Sequence, residues 1–222
     1  MEEFKVVLGS ASPRRRELLA KLGVSFEVLT ADVDEDVVTV ADPAENVLGR
    51  AQLKANALRG QVRQGTIIIT ADTTVADGAE MLNKPVNKVE AWKMLRQLRG
   101  HTHQVHSGVI IIDTNGDEHR IVNSSDVVMR PYTDEEIEAY IATGDPMDKA
   151  GAYAIQHPDF RPVAGINGCY TGIMGLPLCD VASALEACGV KIAIPGKLEA
   201  EEKKDFYLCS RCKELFDRNL AA

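Results

Sequence analysis

Long hydrophobic runs are missing from this 222-residue chain. No stretch of about eighteen apolar residues occurs, so no segment is expected to cross a membrane. Basic charge is short as well. Lys and Arg number 25 against 33 Asp and Glu, a formal net charge of −8 that excludes a general nucleic-acid binder, which needs a basic face. A small anion held in a local basic pocket is not excluded. The opening MEEFKVVLGS has neither the basic region nor the long apolar run of a signal peptide. Aromatic residues make up only 5%, yet 45% hydrophobic and 26% charged residues is an ordinary globular balance, which rules out disordered and fibrous classes. Cysteine is sparse and odd in number, five in all. Without an export signal that pattern implies a reducing compartment, and the expected location is the cytoplasm. The length allows one large domain or two small lobes around a substantial core.

What is present is organised around residues 6–23, VVLGSASPRRRELLAKLG. An apolar strand (Val6, Val7, Leu8) runs into a tight turn of small residues, and a helix opens at Pro13. Ser12 suits the N-cap and Pro13 the first helical position, where a missing N–H removes no intrahelical bond. Leu18, Leu19 and Leu22 recur at helical spacing, and Gly23 supplies the stop. Such a strand–loop–helix aims backbone N–H groups and a helix dipole at one spot, a ready anion site. Arg14, Arg15 and Arg16 crowd that end although the dipole disfavours cations there. Either they await an anion or they form a solvated cluster.

Further along, SFEVLT (25–30) predicts a short strand, followed by an acidic loop with Asp32, Asp34, Glu35 and Asp36 that is either solvated or a source of hard-metal ligands. A helix is expected from Asp42-Pro43 to about Val62. On it Lys54 falls about 20° outside the apolar stripe, so it either snorkels to water or points into a cleft. The β-branched run TIIITA (66–71) reads as a strand buried on both faces, with Asp72 just beyond its end, where open α/β sheets gather ligands. A hairpin is expected at Asp77-Gly78, an extended Lys84 before Pro85, and an amphipathic helix over 87–99. His101, His103 and His106 do not share one strand face and read as structural. Strands over 104–112 and 119–130 flank the Asn115-Gly116 turn. Thr133 to Glu136 is a capping box opening a helix that ends at Gly144.

The segment GDPMDKAGAYAIQ (144–156) sets Asp145, Asp148, Lys149 and Gln156 among small residues that permit close approach. Glycine-rich residues 165–176 predict a turn and strand beneath a helix from about Pro177 to Gly189. Past Pro195-Gly196 the composition turns charged, so 1–194 is read as the main two-lobed domain and 195–222 as a partly helical extension. That extension carries Cys209-x-x-Cys212, half of a zinc knuckle with no second pair following it. Free thiols are the expectation there, a metal shared across a dimer the alternative.

LGSASPRRRELL (8–19), TADTTVADGAEMLNKP (70–85), GDPMDKAGAYAIQ (144–156) and INGCYTGIMGLPL (166–178) together resemble the Maf family of nucleoside triphosphate pyrophosphatases. The resemblance covers residues 4 to about 190. It implies a two-lobed α/β fold related to inosine triphosphate pyrophosphatases: an elongated mixed sheet flanked by helices, with a central cleft. It also implies metal-assisted hydrolysis of a nucleoside triphosphate to monophosphate and pyrophosphate. By the same resemblance Asp72 is the catalytic carboxylate. Phosphate and metal contacts map onto Ser10, Arg14, Arg15, Glu35, Lys54, Lys84 and Lys149, with Asp72 and Glu35 toward Mg²⁺, Mn²⁺ or Co²⁺. Arg14, Thr73 and Gln156 match the subgroup acting on dTTP and UTP. The small-molecule nucleotide is the implied partner, with no nucleic acid or membrane and a homodimer left open. Removal of non-canonical nucleotides and control of cell division are both compatible roles. The rival reading is a nucleotide-binding regulator of septum formation without significant turnover.

Overall fold

The computed structural model describes residues 5–194 and 198–218. The chain opens as β1 (Val6–Gly9), α1 (Pro13–Ala20) and β2 (Glu27–Val28), then a 3-10 turn at Glu35–Val37 and α2 (Pro43–Arg59). Next come β3 (Ile67–Asp77), β4 (Glu80–Leu82), α3 (Lys88–Leu98), β5 (Thr102–Ile112) and β6 (Glu118–Met129). After α4 (Asp134–Ala142) and two 3-10 turns at Asp145–Asp148 and Ala150–Ala152 follow β7 (Val163–Asn167), α5 (Tyr170–Ile173) and α6 (Leu178–Ala187). The last described helices are α7 (Ala200–Phe206) and α8 (Ser210–Arg218). Among the described residues, no helix is long and apolar enough to cross a membrane.

The sheet is mixed and elongated. Its strand order is β2-β1-β3-β5-β6-β7, with β4 beside β3. β1 pairs in parallel with β2 and β3, whereas every pairing from β3 through β5 and β6 to β7 is antiparallel. Alternation along β3 explains the layering. Ile67, Ile69 and Ala71 pack with Leu18, Leu19 and α6 on one face, and Ile68 packs with Leu48, Ala51, Ala55 and Leu58 of α2 on the other. Farther along the same strands, Val75, Val105 and Val127 join α3, α4, Tyr132 and Phe160 in a second hydrophobic core. Phe206, Cys212, Leu215 and Phe216 from α7 and α8 are buried within the first core, while the 194/195 boundary abuts 195–197, outside the described residues.

Local chemistry accounts for most elements. The side chains of Ser12, Asp42 and Asn87 cap α1, α2 and α3, and the Thr133–Glu136 capping box forms at α4. Three expectations are corrected. β3 does not stop before Asp72: its pairing with β5 continues from Asp72 opposite Gly108 to Ala76 opposite Gln104. Each buried isoleucine contributes about 2 kcal/mol, and Ile67–Ile69 with that ladder offset the several kcal/mol that burying a carboxylate costs. Second, β2 is only two residues long, with Glu27 opposite Val7 and Val28 opposite Leu8 of β1. Third, the expected strand across 165–176 ends at Asn167 and a helical turn follows. Gly168, with φ of 143°, breaks the strand, and the Cys169 sulfur accepts the Gly172 N–H to cap that turn.

Candidate active site

β1 leaves the edge of β3 at Thr70, and β4 joins that edge only at Val75. Between them the edge is open over residues 71–74. A strand carbonyl left unpaired there must find another donor, and the Ala71 carbonyl accepts from Arg15 Nη1 at 2.9 Å and from Lys54 Nζ at 3.4 Å. Arg15 arrives from α1 on one face of the sheet and Lys54 from α2 on the other. The gap in the edge is where the two faces meet, and a cavity of about 350 Å³ opens over it. That volume suits a small-molecule ligand.

Lys54 resolves its two sequence readings by pointing into the cleft. Its ammonium donates to Asp72 Oδ1 at 2.8 Å and lies 3.0 Å from Glu35 Oε2. Asp72 is buried and Glu35 half-buried. One cation therefore draws a strand carboxylate and a loop carboxylate to a common point. Both are hard oxygen donors, the ligand type that Mg²⁺ and Mn²⁺ prefer. The close approach of α2 depends on Gly108, where an added Cβ would come within 2.7 Å of the Leu48 backbone.

Arg15 is held by the protein itself. Nε donates to the Gly175 carbonyl at 2.9 Å, Nη1 to Ser10 Oγ at 3.2 Å, and Nη2 to Thr73 Oγ1 at 3.0 Å. Ser107 Oγ donates to the Gly172 carbonyl, so the Thr73 hydroxyl donates in turn to Ser107, 2.8 Å away. The chain Arg15–Thr73–Ser107–Gly172 ties the loop before α1, the gap in β3 and the turn at α5 into one unit. Burial pulls the Arg15 guanidinium below its ordinary value, and the Asp72 charge opposes that shift. Gly175 takes φ of 109°, and a Cβ there would lie 3.2 Å from both Arg15 Nε and Thr73 Oγ1.

Lys149 is buried as well, with Nζ donating to the Asp145 carbonyl (2.5 Å), Asp145 Oδ1 (2.9 Å) and Asp148 Oδ1 (2.6 Å). Tyr140 Oη donates to Asp145 Oδ2 at 2.6 Å and accepts from the Ala154 N–H. Arg14 Nη1 lies 3.8 Å from Asp148 Oδ2. Lys84 and Gln156 stand exposed at the cavity wall, and among the described residues neither side chain has a partner. Behind the wall His103 Nε2 meets Tyr153 Oη at 2.8 Å, with burial lowering His103 to about 4.

All ten residues expected from the sequence (Ser10, Arg14, Arg15, Glu35, Lys54, Asp72, Thr73, Lys84, Lys149 and Gln156) line this one cavity. Arg16 does not; it is exposed. Tyr153, Ser107, Gly108 and Gly175 carry no sequence expectation, yet they line or shape the site. A signal existed for two of them. Gly108 interrupts an apolar strand run, a mark of close backbone approach, and Gly175 lies in a glycine-rich segment.

Comparisons with known proteins identify the chain's relatives. A protein of Geobacter sulfurreducens named dTTP/UTP pyrophosphatase is 43% identical over 192 residues, covering 85% of this chain and 99% of its own. Proteins of the same name from Pelotomaculum thermopropionicum (41% identical, covering 85% of this chain and 98% of theirs) and Moorella thermoacetica (42%, covering 85% and 97%) are similar. Among solved structures, a HAM1 protein from Coxiella burnetii covers 99% of this chain and 100% of its own. Its TM-score of 0.44 and 11% identity are too low to bear on the site. The family of Maf-like proteins matches residues 5–188, a span that includes the whole sheet and every cavity residue named above; the chain belongs to that family.

Proposed function

We propose that this chain hydrolyses nucleoside triphosphates, dTTP and UTP foremost, to the monophosphate and pyrophosphate. The observation that carries the reading is the Asp72–Lys54 pair in the open edge of β3, inside a cavity walled by Arg14, Lys84 and Lys149. A sensor of nucleotide levels has no need of a carboxylate poised in that way. The relatives named above bear the corresponding activity in their names.

Chemically, charge accumulates on the phosphates as the bond to the leaving pyrophosphate breaks, and preorganised cations stabilise it. Lys84, and Arg14 with only its 3.8 Å approach to Asp148, can take phosphate oxygens, and the Ser10 hydroxyl keeps its proton to donate. Arg15 acts as a positioning residue, because the protein engages four of its five N–H donors. Water attacks the α-phosphorus, and Asp72 accepts its proton. A divalent cation fits by donor chemistry, with Asp72 and Glu35 to hold it in exchange for their shared contact with Lys54. When bound it would polarise the phosphate and acidify a water molecule. Gln156, uncharged and exposed at the rim, suits contact with the edge of a pyrimidine base.

Pyrophosphate release from dTTP, UTP and 7-methyl-GTP, each with Mg²⁺, Mn²⁺ and Co²⁺, tests the proposal. Release from the two pyrimidine nucleotides is expected. Binding of dTTP without release under any of the three cations would overturn it in favour of a regulator.

A further inference from the structure

Four of the five cysteines converge on one point, far apart though they are in sequence. Cys169 caps α5, Cys179 sits in the first turn of α6, Cys209 immediately precedes α8 and Cys212 lies in its first turn. Their sulfurs all lie within 4.8 Å of one another, with Cys169 and Cys212 3.9 Å apart. No two of them are bonded. Sulfurs at the corners of a tetrahedron around zinc, each about 2.3 Å from the metal, stand about 3.8 Å apart. Cys169, Cys179 and Cys212 are buried and Cys209 is half-buried. The Cys-x-x-Cys motif therefore has its second half in the main domain rather than farther along the chain.

The surroundings are those of a thiolate cluster. The Gly172 N–H donates to Cys169 Sγ at 3.4 Å. The buried Thr171 hydroxyl accepts the Leu178 N–H, which leaves its own proton for Cys169 Sγ at 3.2 Å or Cys212 Sγ at 3.8 Å. Arg211, between the two tail cysteines, pairs with Asp180, the neighbour of Cys179, and so braces one cysteine pair against the other. Hydrogen bonds to ligand sulfurs and an outer shell of this kind orient metal thiolates. Simple packing of small apolar thiols would not require four sulfurs from two segments to lie within 4.8 Å of one another. The fifth cysteine illustrates this: Cys188 lies apart, beside His119.

We propose that Cys169, Cys179, Cys209 and Cys212 bind one structural zinc ion that fastens the C-terminal helices α7 and α8 to the main domain. Four thiol protons leave to solvent as the tetrathiolate forms. No position in the shell remains open, so the ion takes no part in turnover. It does anchor the turn Cys169–Gly175, whose far end supplies Ile173 and Met174 to the cleft and the Gly175 carbonyl to Arg15. The inference stands independently of the proposed hydrolysis.

The test is metal analysis of the full chain purified under reducing conditions and reconstituted with Zn²⁺ alone. About one zinc per chain is expected, released by an organomercurial, with Cys188 the only thiol reacting rapidly beforehand. Co²⁺ in place of Zn²⁺ is expected to give intense sulfur-to-metal charge-transfer absorption and tetrahedral visible bands, which carboxylate-bound Co²⁺ in the cleft would lack. Cys188→Ser should keep the zinc, whereas Cys179→Ser and Cys212→Ser should lose it. Chelation of the native protein should lower Tm by about 10 °C and expose the segment after residue 198 to protease. Five freely reactive thiols and no zinc after reconstitution would overturn the proposal, even if the variants fail to fold. Stoichiometric iron in place of zinc, or zinc retained by both variants, would overturn it as well.

Discussion

The floor and the rim of the cleft are built on opposite terms. On the floor Arg15, Thr73, Ser107 and Lys149 direct their donors at carbonyls, hydroxyls and carboxylates of the protein itself. At the rim Lys84 and Gln156 have no side-chain partner among the described residues, and Arg14 has only a 3.8 Å approach to Asp148. A buried donor without an acceptor costs about 1–3 kcal/mol, so the floor must be complete before any ligand arrives. An exposed donor pays no such penalty and can wait. The difference teaches that the presence of a cation in a cleft does not make it a ligand contact. Asp72 lies between the two regions, buried like the floor yet matched by only one shared ammonium.

Replacing Asp72 by Asn is the most severe break. The fold should persist, since the ladder to β5 is a backbone matter, while pyrophosphate release should fall by about 10²- to 10⁴-fold. Undiminished turnover would remove Asp72 from the chemistry. Arg15→Lys attacks the floor. A lysine cannot reach Ser10, Ala71, Thr73 and Gly175 together, so stability should fall by about 2–3 kcal/mol, about 5–10 °C in Tm by thermal unfolding. A raised KM with unchanged Tm would erase the distinction drawn above.

His103, behind the wall, gives a pH signature. Burial lowers its folded pKa to about 4, below the ordinary value of 6.5, so the unfolded chain binds the extra proton between those values. Its contribution is complete above about pH 6.5 and is lost as pH falls toward 4, on the order of 3 kcal/mol in all. Burial moves His106 in the same direction. His103→Gln should flatten part of the acid slope in denaturant titrations; an unchanged slope would show that other groups dominate it. The mildest expected change is Lys84→Met, which tests the rim. kcat/KM for dTTP should fall about 10-fold with Tm nearly unchanged, about 1.4 kcal/mol of transition-state stabilisation by steady-state kinetics.

Local pattern alone determined much of this protein. The caps of α1 and α4, the buried run of β3 and the hairpin turns follow from near-neighbour chemistry, and motif resemblance named ten residues that share one cavity. Tertiary structure decided the rest. That β3 continues through Asp72 depends on β5 being opposite it, a pairing across some forty residues that no local window contains. Whether Arg15 faces ligand or protein, and whether Cys209 and Cys212 have company, depends on where residues 175, 169 and 179 return in space. Side-chain type is written in the chain; the identity of its partner is fixed only when the core closes.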